Sequence, residues 1–296
     1  MNHKVSGMTA TTYHPRRSAL YVPATNERAM QKARSADCDV VIIDLEDMVA
    51  VSAKLDARNR ALDAVAAGGF GSRETVIRCN GLDTPWGKDD LLAVGEAGAD
   101  AILIPKLSHP GDLERARALL GEHARIWAMI ETSGALLRLD ALGAASQALG
   151  VDAWVIGSND LAKDLHCAHD VERLGLLTAM SMSIAAARHY GITILDGVFT
   201  DLRDGEGHER QCAQAAALGF DGKTVVHPNQ LAAANGTFTP APALVGWAKA
   251  VVAAFDAPEN RDAAIIEVDG GLVERPHLAR AVRLAAIADA IAGLDR

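Results

Sequence analysis

Short apolar segments alternate with longer amphipathic segments along most of this chain, and that alternation restricts the possible folds. The short segments are rich in β-branched residues and almost continuously hydrophobic, as parallel strands are when helices cover both faces of a sheet. In chain order they are SALYVP, DVVIIDLED, TVIRCN, AILIPK, RIWAMIE, AWVIG, ITILD and DGKTVVHP. Strands separated by helices in this way predict an α/β fold with a parallel sheet.

Two parallel architectures fit this order, a closed (β/α)8 barrel and an open doubly wound sheet. Nucleotide-binding forms of the open sheet place a GxGxxG or GxxxxGK[ST] loop after a strand, and the sequence contains neither motif. A set of eight predicted strands suits a barrel. The sequence therefore predicts a (β/α)8 TIM barrel with a C-terminal helical extension.

The amphipathic segments and the chain ends suggest how the protein is divided. Helices are predicted in NERAMQKARSA, AKLDARNRALDAVAA, GKDDLLAVGEAGA, DLERARALLGEHA and ERQCAQAAALG. We expect a flexible tail over residues 1–15 and a barrel over residues 16–235. Residues 236–296 predict a helix, an extended piece (IIEVDGGLVERPHL) and a final helix. This extension caps the barrel or, as a lid, completes the site of a neighbouring subunit.

Composition and charge exclude several classes of partner. The chain of 296 residues has a formal net charge of −9, which repels nucleic acid and anionic lipid. No apolar run reaches the length of a membrane span, and the N-terminus has no signal-peptide core. The four cysteines form no CxxC pair, as expected for reduced thiols. These features predict a cytoplasmic protein without nucleic-acid or membrane partners.

Polar side chains follow every predicted strand from the second to the eighth. Active sites of (β/α)8 enzymes lie at this C-terminal end of the barrel. Single residues of this kind often cap helices, but so regular a series favours one shared site. The residues are Asp44, Glu46, Asp47, Arg78, Asn80, Lys106, Glu131, Asn159, Asp160, Asp196 and His227.

Glu131 and Asp160 are the best candidate metal ligands in this series. One or two carboxylates, completed by water and substrate oxygens, form a typical Mg²⁺ site. Each also has a simpler interpretation, Asp160 as a helix N-cap and Glu131 as a partner of a helix dipole. The histidines show no HxxxH or HxH grouping near these strands, which argues against a transition-metal site.

Three cations could bind the anionic parts of a ligand. Arg78 follows an apolar strand, where a guanidinium needs a partner, and its planar fork suits a carboxylate or an enolate. An ion pair with Glu46 or Asp47 would serve equally well. Arg17 precedes the first strand and could face a phosphate or simply be solvated. Lys106 and His227 either line the site or have a structural role.

Eight segments together resemble the citrate lyase β-subunit-like branch of the HpcH/HpaI aldolase superfamily. They are RSALYVPA, VVIIDLEDMV, VIRCNG, ILIPKL, AMIET, IGSNDLA, GFDGKTVVHPNQ and GGLVERPHLARA. The resemblance implies a Mg²⁺-dependent barrel, usually a homotrimer, that cleaves 3-hydroxyacyl thioesters such as malyl-, citramalyl- or citryl-CoA. It implies Glu131 and Asp160 as metal ligands and Arg78 as the group that stabilises the enolate. The acids Asp44, Glu46 and Asp47 would then organise metal-bound water and the arginine.

The resemblance also assigns a role to the C-terminal extension. Relatives have an MIDxPHL-like segment whose aspartate reaches a neighbouring active site, and here the segment is LVERPHL. Glu274 therefore stands where the aspartate is expected, with a side chain one methylene longer. We expect it to act as the general acid or base, although it could simply cap the helix that begins near Pro276.

The implied reaction is a reversible aldol or Claisen cleavage. Mg²⁺ polarises the 2-oxo acid portion, a base removes the 3-hydroxyl proton, and Arg78 stabilises the charge that grows as the bond breaks. Two alternatives stay open. One is a 2-oxo-acid aldolase of the pyruvate type that acts without CoA. The other is an accessory subunit of a citrate lyase-like complex that needs an acyl-carrier partner.

Overall fold

The computed structural model describes residues 13–294, and within them eight parallel strands close into a barrel in chain order. The predicted (β/α)8 fold is confirmed, and each predicted strand segment overlaps one observed strand. The strands are β1 (Ser18–Pro23), β2 (Val40–Asp44), β3 (Glu74–Arg78), β4 (Ala101–Ile104), β5 (Ile126–Ile130), β6 (Val151–Ile156), β7 (Thr193–Asp196) and β8 (Gly222–Val225). The predicted tail, residues 1–15, lies mostly outside the described residues.

Helices connect the strands and surround the barrel. They are α1 (Glu27–Ala33), α2 (Lys54–Ala67), α3 (Gly87–Val94), α4 (Pro110–Leu120), α5 (Ser133–Leu136), α6 (Leu139–Ala148), α7 (Ser158–Asp164), α8 (Leu177–His189), α9 (Gly205–Leu218) and α10 (Leu231–Phe238). Alanines on their inner faces pack closely against the strands, as Ala57, Ala61 and Ala64 of α2 do. All five predicted helical segments coincide with observed helices.

Side chains along each strand point alternately into the barrel interior and toward the surrounding helices. Val40 and Ile42 of β2 pack inside with Trp127 and Met129 of β5. The intervening residues, such as Val41, face the helices. Because side chains alternate with a period of two, Asp44, Arg78 and Glu131 continue the inward-facing series at the C-terminal mouth.

Ion pairs close the N-terminal end of the barrel. Arg16 binds Glu74, with Nε 2.7 Å from Oε2, and its guanidinium lies 4.7 Å from the Trp127 ring centroid. Arg17 binds the buried Asp39 through both Nε and Nη2, each at 2.9 Å from a carboxylate oxygen. Both arginines precede β1, which places them at the end opposite the active-site end of a (β/α)8 barrel.

A buried charge cluster lies between the barrel and its helices. Asp196 accepts a hydrogen bond of 2.6 Å from Arg173 and one of 2.7 Å from Lys223, and all three side chains are fully buried. Asp196 and Lys223 occupy outward-facing positions of β7 and β8, whereas their neighbours Leu195 and Thr224 face inward. This cluster therefore braces the wall of the barrel rather than its interior.

The chain divides into two compact units, and the barrel unit is Arg16–Phe238. The predicted boundary at residue 235 falls inside α10. The second unit includes residues 239–294, with α11 (Pro242–Asp256), an antiparallel hairpin of β9 (Ile265–Val268) and β10 (Gly271–Glu274), and α12 (Arg275–Ala292). Its core contains Val251, Phe255, Ile266 and Val273. The helical extension and its extended segment are as predicted.

One helical stretch among the described residues, 228–256, is long and apolar enough to cross a membrane by length and composition alone. Only 17% of its most apolar window is buried. The stretch is not one continuous helix, because α10 ends at Phe238 and α11 begins at Pro242. A single stretch of this kind is weak evidence for a membrane span.

Candidate active site

A cavity of about 210 Å³ opens at the C-terminal mouth of the barrel. Its polar walls come from strand ends and the loops that follow them, as in other (β/α)8 enzymes. Its apolar walls include Met129, Ile156, Val198 and Val226. The polar lining residues are Tyr21, Asp47, Arg78, Glu131, Ser158, Asn159, Asp160, Thr200 and Thr224. The cavity is small, and charged side chains form part of its lining.

Arg78 is buried and is held from two directions. Asp44 occupies the paired position on the neighbouring strand, and its two oxygens accept hydrogen bonds from Arg78 Nε at 2.6 Å and Nη2 at 2.8 Å. Arg78 Nη1 lies 2.8 Å from Glu46 Oε2, and the guanidinium is 4.8 Å from the Tyr21 ring centroid. Burial alone would lower the pKa of Arg78, but Asp44 raises it well above its usual value. The guanidinium therefore stays charged and fixed in orientation.

The turn after β2 is organised by its own first residue. Asp44 accepts hydrogen bonds from the backbone N–H groups of Glu46 and Met48 at 3.0 and 2.9 Å. The buried ammonium of Lys54 donates to the carbonyl oxygens of Leu45 and Glu46 at 2.8 and 2.7 Å. These contacts fix the DLED segment, so that Glu46 points toward Arg78 while Asp47 remains exposed.

Glu131 has one carboxylate oxygen bound and one free of hydrogen bonds. Oε1 accepts a hydrogen bond of 2.6 Å from the backbone N–H of Lys106, whereas Oε2 is buried and has no hydrogen-bond partner. A Cβ atom at Gly157 would lie 2.2 Å from Oε2, so only glycine fits there. A buried oxygen without a partner is costly, and this one is accommodated by a glycine that leaves room beside it.

Lys106 connects the acids on opposite sides of the mouth. Its ammonium contacts Asp160 and lies 3.7 Å from both Glu46 Oε1 and Asp47 Oδ2. Its backbone is left-handed, with φ of 58°, a conformation that costs a non-glycine residue about 1–3 kcal/mol. Burial alone would lower the pKa of Lys106, but the charge of Glu131 and the hydrogen bond to Asp160 raise it above its usual value.

The site holds five carboxylates and three cations, Arg78, Lys106 and the buried Lys54, which leaves it with an excess of negative charge. Burial raises the pKa of Glu46 to about 8, against the opposing effect of Arg78. Burial also raises the pKa of Glu131 to about 7, against the opposing effect of Lys106. Charge repulsion adds to both shifts, since Glu131 raises the pKa of Glu46 and Asp160 raises that of Glu131. A site of this kind favours an additional cation, because a cation would stabilise both carboxylates in their charged form.

Within residues 13–294, no group of three or more His, Cys, Asp or Glu side chains is arranged to hold a metal by itself. Glu131 and Asp160 instead line the same cavity as a pair of oxygen donors. A pair of carboxylates, with water and substrate oxygens in the remaining positions, suits Mg²⁺. The unpartnered Oε2 of Glu131 and the excess negative charge also fit such a cation.

The structure brings together eight of the residues predicted from the sequence, and separates others from them. The eight are joined by ion pairs or share the cavity, and they are Asp44, Glu46, Asp47, Arg78, Lys106, Glu131, Asn159 and Asp160. Arg17 is not among them, because it pairs with Asp39 at the opposite end of the barrel. Asp196 does not join them either, since it faces the helices and binds Arg173 and Lys223.

Three other predicted residues have local structural contacts. Asn80 donates to Asp90 at 2.6 Å. His227 is exposed, and its Nδ1 accepts a hydrogen bond from the backbone N–H of Asn229. Glu274 is exposed in the second unit and is the N-cap residue of α12, where its backbone N–H donates to His277 Nδ1 at 3.1 Å. The role of Glu274 in a neighbouring site stays a prediction.

Sequence reasoning missed Tyr21, Ser158 and Lys54. Tyr21 could have been found, because it occupies an inward-facing position of β1 between Leu20 and Val22, which face the helices. Ser158 follows Gly157 and has a buried Oγ without a hydrogen-bond partner, but a serine at a helix start usually indicates a cap. Lys54 lies at the start of α2, and no local pattern connects it with the DLED segment.

The chain is similar to known proteins over almost its whole length. A (3S)-malyl-CoA thioesterase from Cereibacter sphaeroides is 42% identical over 94% of this chain and 96% of that protein. The citrate lyase subunit beta of Leuconostoc mesenteroides subsp. cremoris is 30% identical over 93% of this chain and 94% of that protein. The solved structure of protein CitE from Mycobacterium tuberculosis in complex with magnesium, acetoacetate and coenzyme A aligns with a TM-score of 0.73. That alignment has 26% identity and covers 92% of this chain and 97% of that chain.

The family model described as HpcH/HpaI aldolase/citrate lyase matches residues 17–228, which include all eight strands of the barrel and its mouth. The relatives are similar over almost their whole length, and the family resemblance expected from the sequence segments is confirmed. This chain belongs to the HpcH/HpaI aldolase/citrate lyase family.

Proposed function

We propose that this protein is a magnesium-dependent carbon–carbon lyase that cleaves or forms 3-hydroxyacyl-CoA thioesters such as malyl-, citramalyl- or citryl-CoA. The observation that supports this most strongly is the geometry of the mouth. A buried, fixed guanidinium and an acidic oxygen pair face one small cavity. Related proteins are described as acting on malyl-CoA or as citrate lyase subunits.

Glu131 and Asp160 are the residues we assign to the magnesium ion. When bound, the ion supplies Lewis-acid polarisation of a substrate oxygen. Oε2 of Glu131 is the donor with no other partner, and the Lys106 N–H on Oε1 orients the carboxylate. Groups that orient a ligand in this way are a regular part of metal sites.

Arg78 is the residue we assign to the charge that develops during bond cleavage. Its Nε and Nη2 bind Asp44 and its Nη1 pairs with Glu46, so the guanidinium is held in one orientation where it lines the cavity. A fixed donor costs no reorganisation when charge develops, and in a water-poor site it lowers the barrier. Tyr21 packs against the guanidinium and helps keep that orientation.

The base that removes the 3-hydroxyl proton is assigned to Glu274 of a neighbouring copy in a homotrimer, with residues 236–296 acting as a lid. The proposal is supported by the position of Glu274 in the LVERPHL segment and by its exposure at the end of β10. A carboxylate at the end of an exposed hairpin is available to a partner subunit.

A second cavity supports a CoA ester over a CoA-free substrate. It measures about 740 Å³ and shares Tyr21, Met48 and Val226 with the cavity at the barrel mouth, a size within the usual range for ligand sites. Arg28 and Lys32 of α1 line it and are exposed one helical turn apart. We assign this cavity to the phosphate-bearing part of CoA.

Replacing both cavity cations should weaken binding of the CoA ester selectively. In Arg28→Ala/Lys32→Ala we expect the KM for a CoA ester to rise roughly tenfold, since charge-assisted hydrogen bonds to phosphate are lost. The kcat should change little, because neither residue reaches the barrel mouth. Steady-state kinetics at low and high salt measure this, with Arg210→Ala on the exposed face of α9 as the control. An unchanged KM would contradict the assignment of this cavity.

Thioester hydrolysis is a second candidate function. It is favoured by the 42% identity to proteins described as (3S)-malyl-CoA thioesterases. The same cavity and the same Arg78 could serve attack of water on the thioester carbonyl. The two reactions differ in their products, because hydrolysis releases free CoA and the hydroxy acid, whereas cleavage of the carbon–carbon bond releases acetyl-CoA and a 2-oxo acid.

A substrate panel tests the proposed function. Malyl-, citramalyl- and citryl-CoA are compared with a 4-hydroxy-2-oxo acid, each with Mg²⁺. We expect turnover of at least one CoA ester and none of the CoA-free compound. Turnover of the oxo acid alone would instead identify a pyruvate-type aldolase. Inactivity on every free ester, together with activity on the same acyl groups attached to a carrier protein, would identify a carrier-dependent subunit.

A further inference from the structure

Lys106 stands out within the mouth because of its backbone conformation. It follows β4 with φ of 58°, in the left-handed region that L residues rarely adopt. Among the described non-glycine residues with positive φ (Lys106, His166, Arg173 and Asp269), it is the one at the barrel mouth. Backbones of this kind persist where surrounding contacts hold them, often at functional sites.

The left-handed turn lets one residue contact both proposed metal ligands. The backbone N–H of Lys106 donates to Glu131 Oε1 at 2.6 Å, and its side-chain ammonium contacts Asp160. The same ammonium lies 3.7 Å from Glu46 Oε1 and from Asp47 Oδ2. Its positive charge is therefore placed among three carboxylates, and one of them is a proposed ligand.

The Lys106 ammonium and a divalent cation bound at Glu131 and Asp160 would disfavour each other for two reasons. Both use the oxygen lone pairs of Asp160, and two positive charges a few ångströms apart repel strongly in a partly buried site. Long lysine side chains with a flexible stem can move aside, and Lys106 is about one-third exposed, with a side-chain value of 36%. The carboxylates can therefore pair with either cation.

We infer that Lys106 is a positioning residue whose backbone orients Glu131 and whose ammonium competes with the divalent metal for Asp160, so that it lowers the metal affinity of the site. This inference rests on the proposed function, because it takes Glu131 and Asp160 as the metal ligands. It goes further in assigning Lys106 to the control of metal binding rather than to the binding of substrate.

Titration of the full-length protein with Mg²⁺ in an isothermal calorimeter tests this inference without an activity assay. Lys106→Met removes the ammonium and keeps the stem, and we expect it to bind Mg²⁺ about twofold to fivefold more tightly than the natural protein, the range given by partly exposed ion pairs. Lys106→Gly removes the ammonium, keeps the N–H donor and adopts positive φ freely, so it should show the same gain. Lys106→Arg retains a competing cation and should show little gain.

Lys88→Met, at an exposed position of α3, controls for the loss of one positive charge from the whole protein. Equal or weaker Mg²⁺ binding in both Lys106→Met and Lys106→Gly, while the natural protein binds Mg²⁺, would overturn the inference and leave the proposed function standing. Binding that appears only in the two variants would support it. Absence of Mg²⁺ binding in every protein, variants included, would overturn both the inference and the proposed metal site.

Discussion

Arg78→Lys should lower the kcat for CoA-ester cleavage by about 10²–10³, because loss of one preorganised donor to a developing negative charge has effects of that size. A lysine keeps the positive charge but cannot bind Asp44 through two nitrogens and Glu46 through a third, so its charge is not held in the same place at the cavity. The KM should change much less than the kcat, since the contact matters mainly as the bond breaks. Steady-state kinetics measure both parameters.

The choice of lysine follows from the burial of the network. Arg78→Ala would leave Asp44 and Glu46 buried without their cation, and breaking a buried pair in this way costs about 3–5 kcal/mol of stability. An inactive alanine variant could therefore simply be unfolded. Arg115→Lys, in an exposed ion pair with Asp83, is the matched control and should leave kcat unchanged. A kcat in Arg78→Lys within threefold of the natural value would refute the assigned role of Arg78.

Glu131→Gln should abolish tight Mg²⁺ binding and turnover together. Replacing a residue that only orients a ligand lowers metal affinity about 10–100-fold, so loss of a direct ligand should lower it at least 100-fold. The amide has almost the same shape, and its oxygen can still accept the N–H of Lys106, so the fold should be retained. Calorimetric titration with Mg²⁺ and kinetics on the same preparation measure the two losses.

The thermal stability of Glu131→Gln shows whether a loss of Mg²⁺ binding comes from the missing ligand or from misfolding. Since burial raises the pKa of Glu131 to about 7, the charged form is less favourable in the folded than in the unfolded chain. Its contribution to the free energy of unfolding therefore falls as pH rises from the ordinary carboxyl pKa to about 7. In EDTA at pH 8, Glu131→Gln should unfold at the same or a higher temperature than the natural protein. The exposed Glu114→Gln should change neither Mg²⁺ affinity nor melting temperature, whereas a folded Glu131→Gln with natural Mg²⁺ affinity would exclude Glu131 as a ligand.

The barrel and much of its mouth could be predicted because strand periodicity is a local property. Asp44 and Arg78 extend the alternating series of β2 and β3, so their inward direction follows from the sequence once the strands are recognised. The same alternation would have placed Asp196 outside the barrel, beside Lys223. A residue at the end of a strand therefore does not always face the cavity. Its place in the alternation of inward-facing and outward-facing side chains decides this.

Other features depended on contacts between distant parts of the chain. Arg17 looked available for a phosphate, but Asp39, at the start of the adjacent strand, binds it. The left-handed backbone of Lys106 has no signature in the sequence, because a lysine rarely adopts it. Its contact with Asp160 joins the ends of two strands that are not neighbours in the barrel. Tertiary structure decides such pairings.

Product identification from a CoA ester with and without metal tests the proposed function most directly. The protein is freed of metal with EDTA and incubated with malyl-, citramalyl- and citryl-CoA, and the products are identified by mass spectrometry before and after Mg²⁺ is restored. We predict that at least one ester gives acetyl-CoA and the corresponding 2-oxo acid, glyoxylate, pyruvate or oxaloacetate, only when Mg²⁺ is present. Release of free CoA and the intact hydroxy acid alone, or cleavage that persists in EDTA, would contradict a magnesium-dependent carbon–carbon lyase.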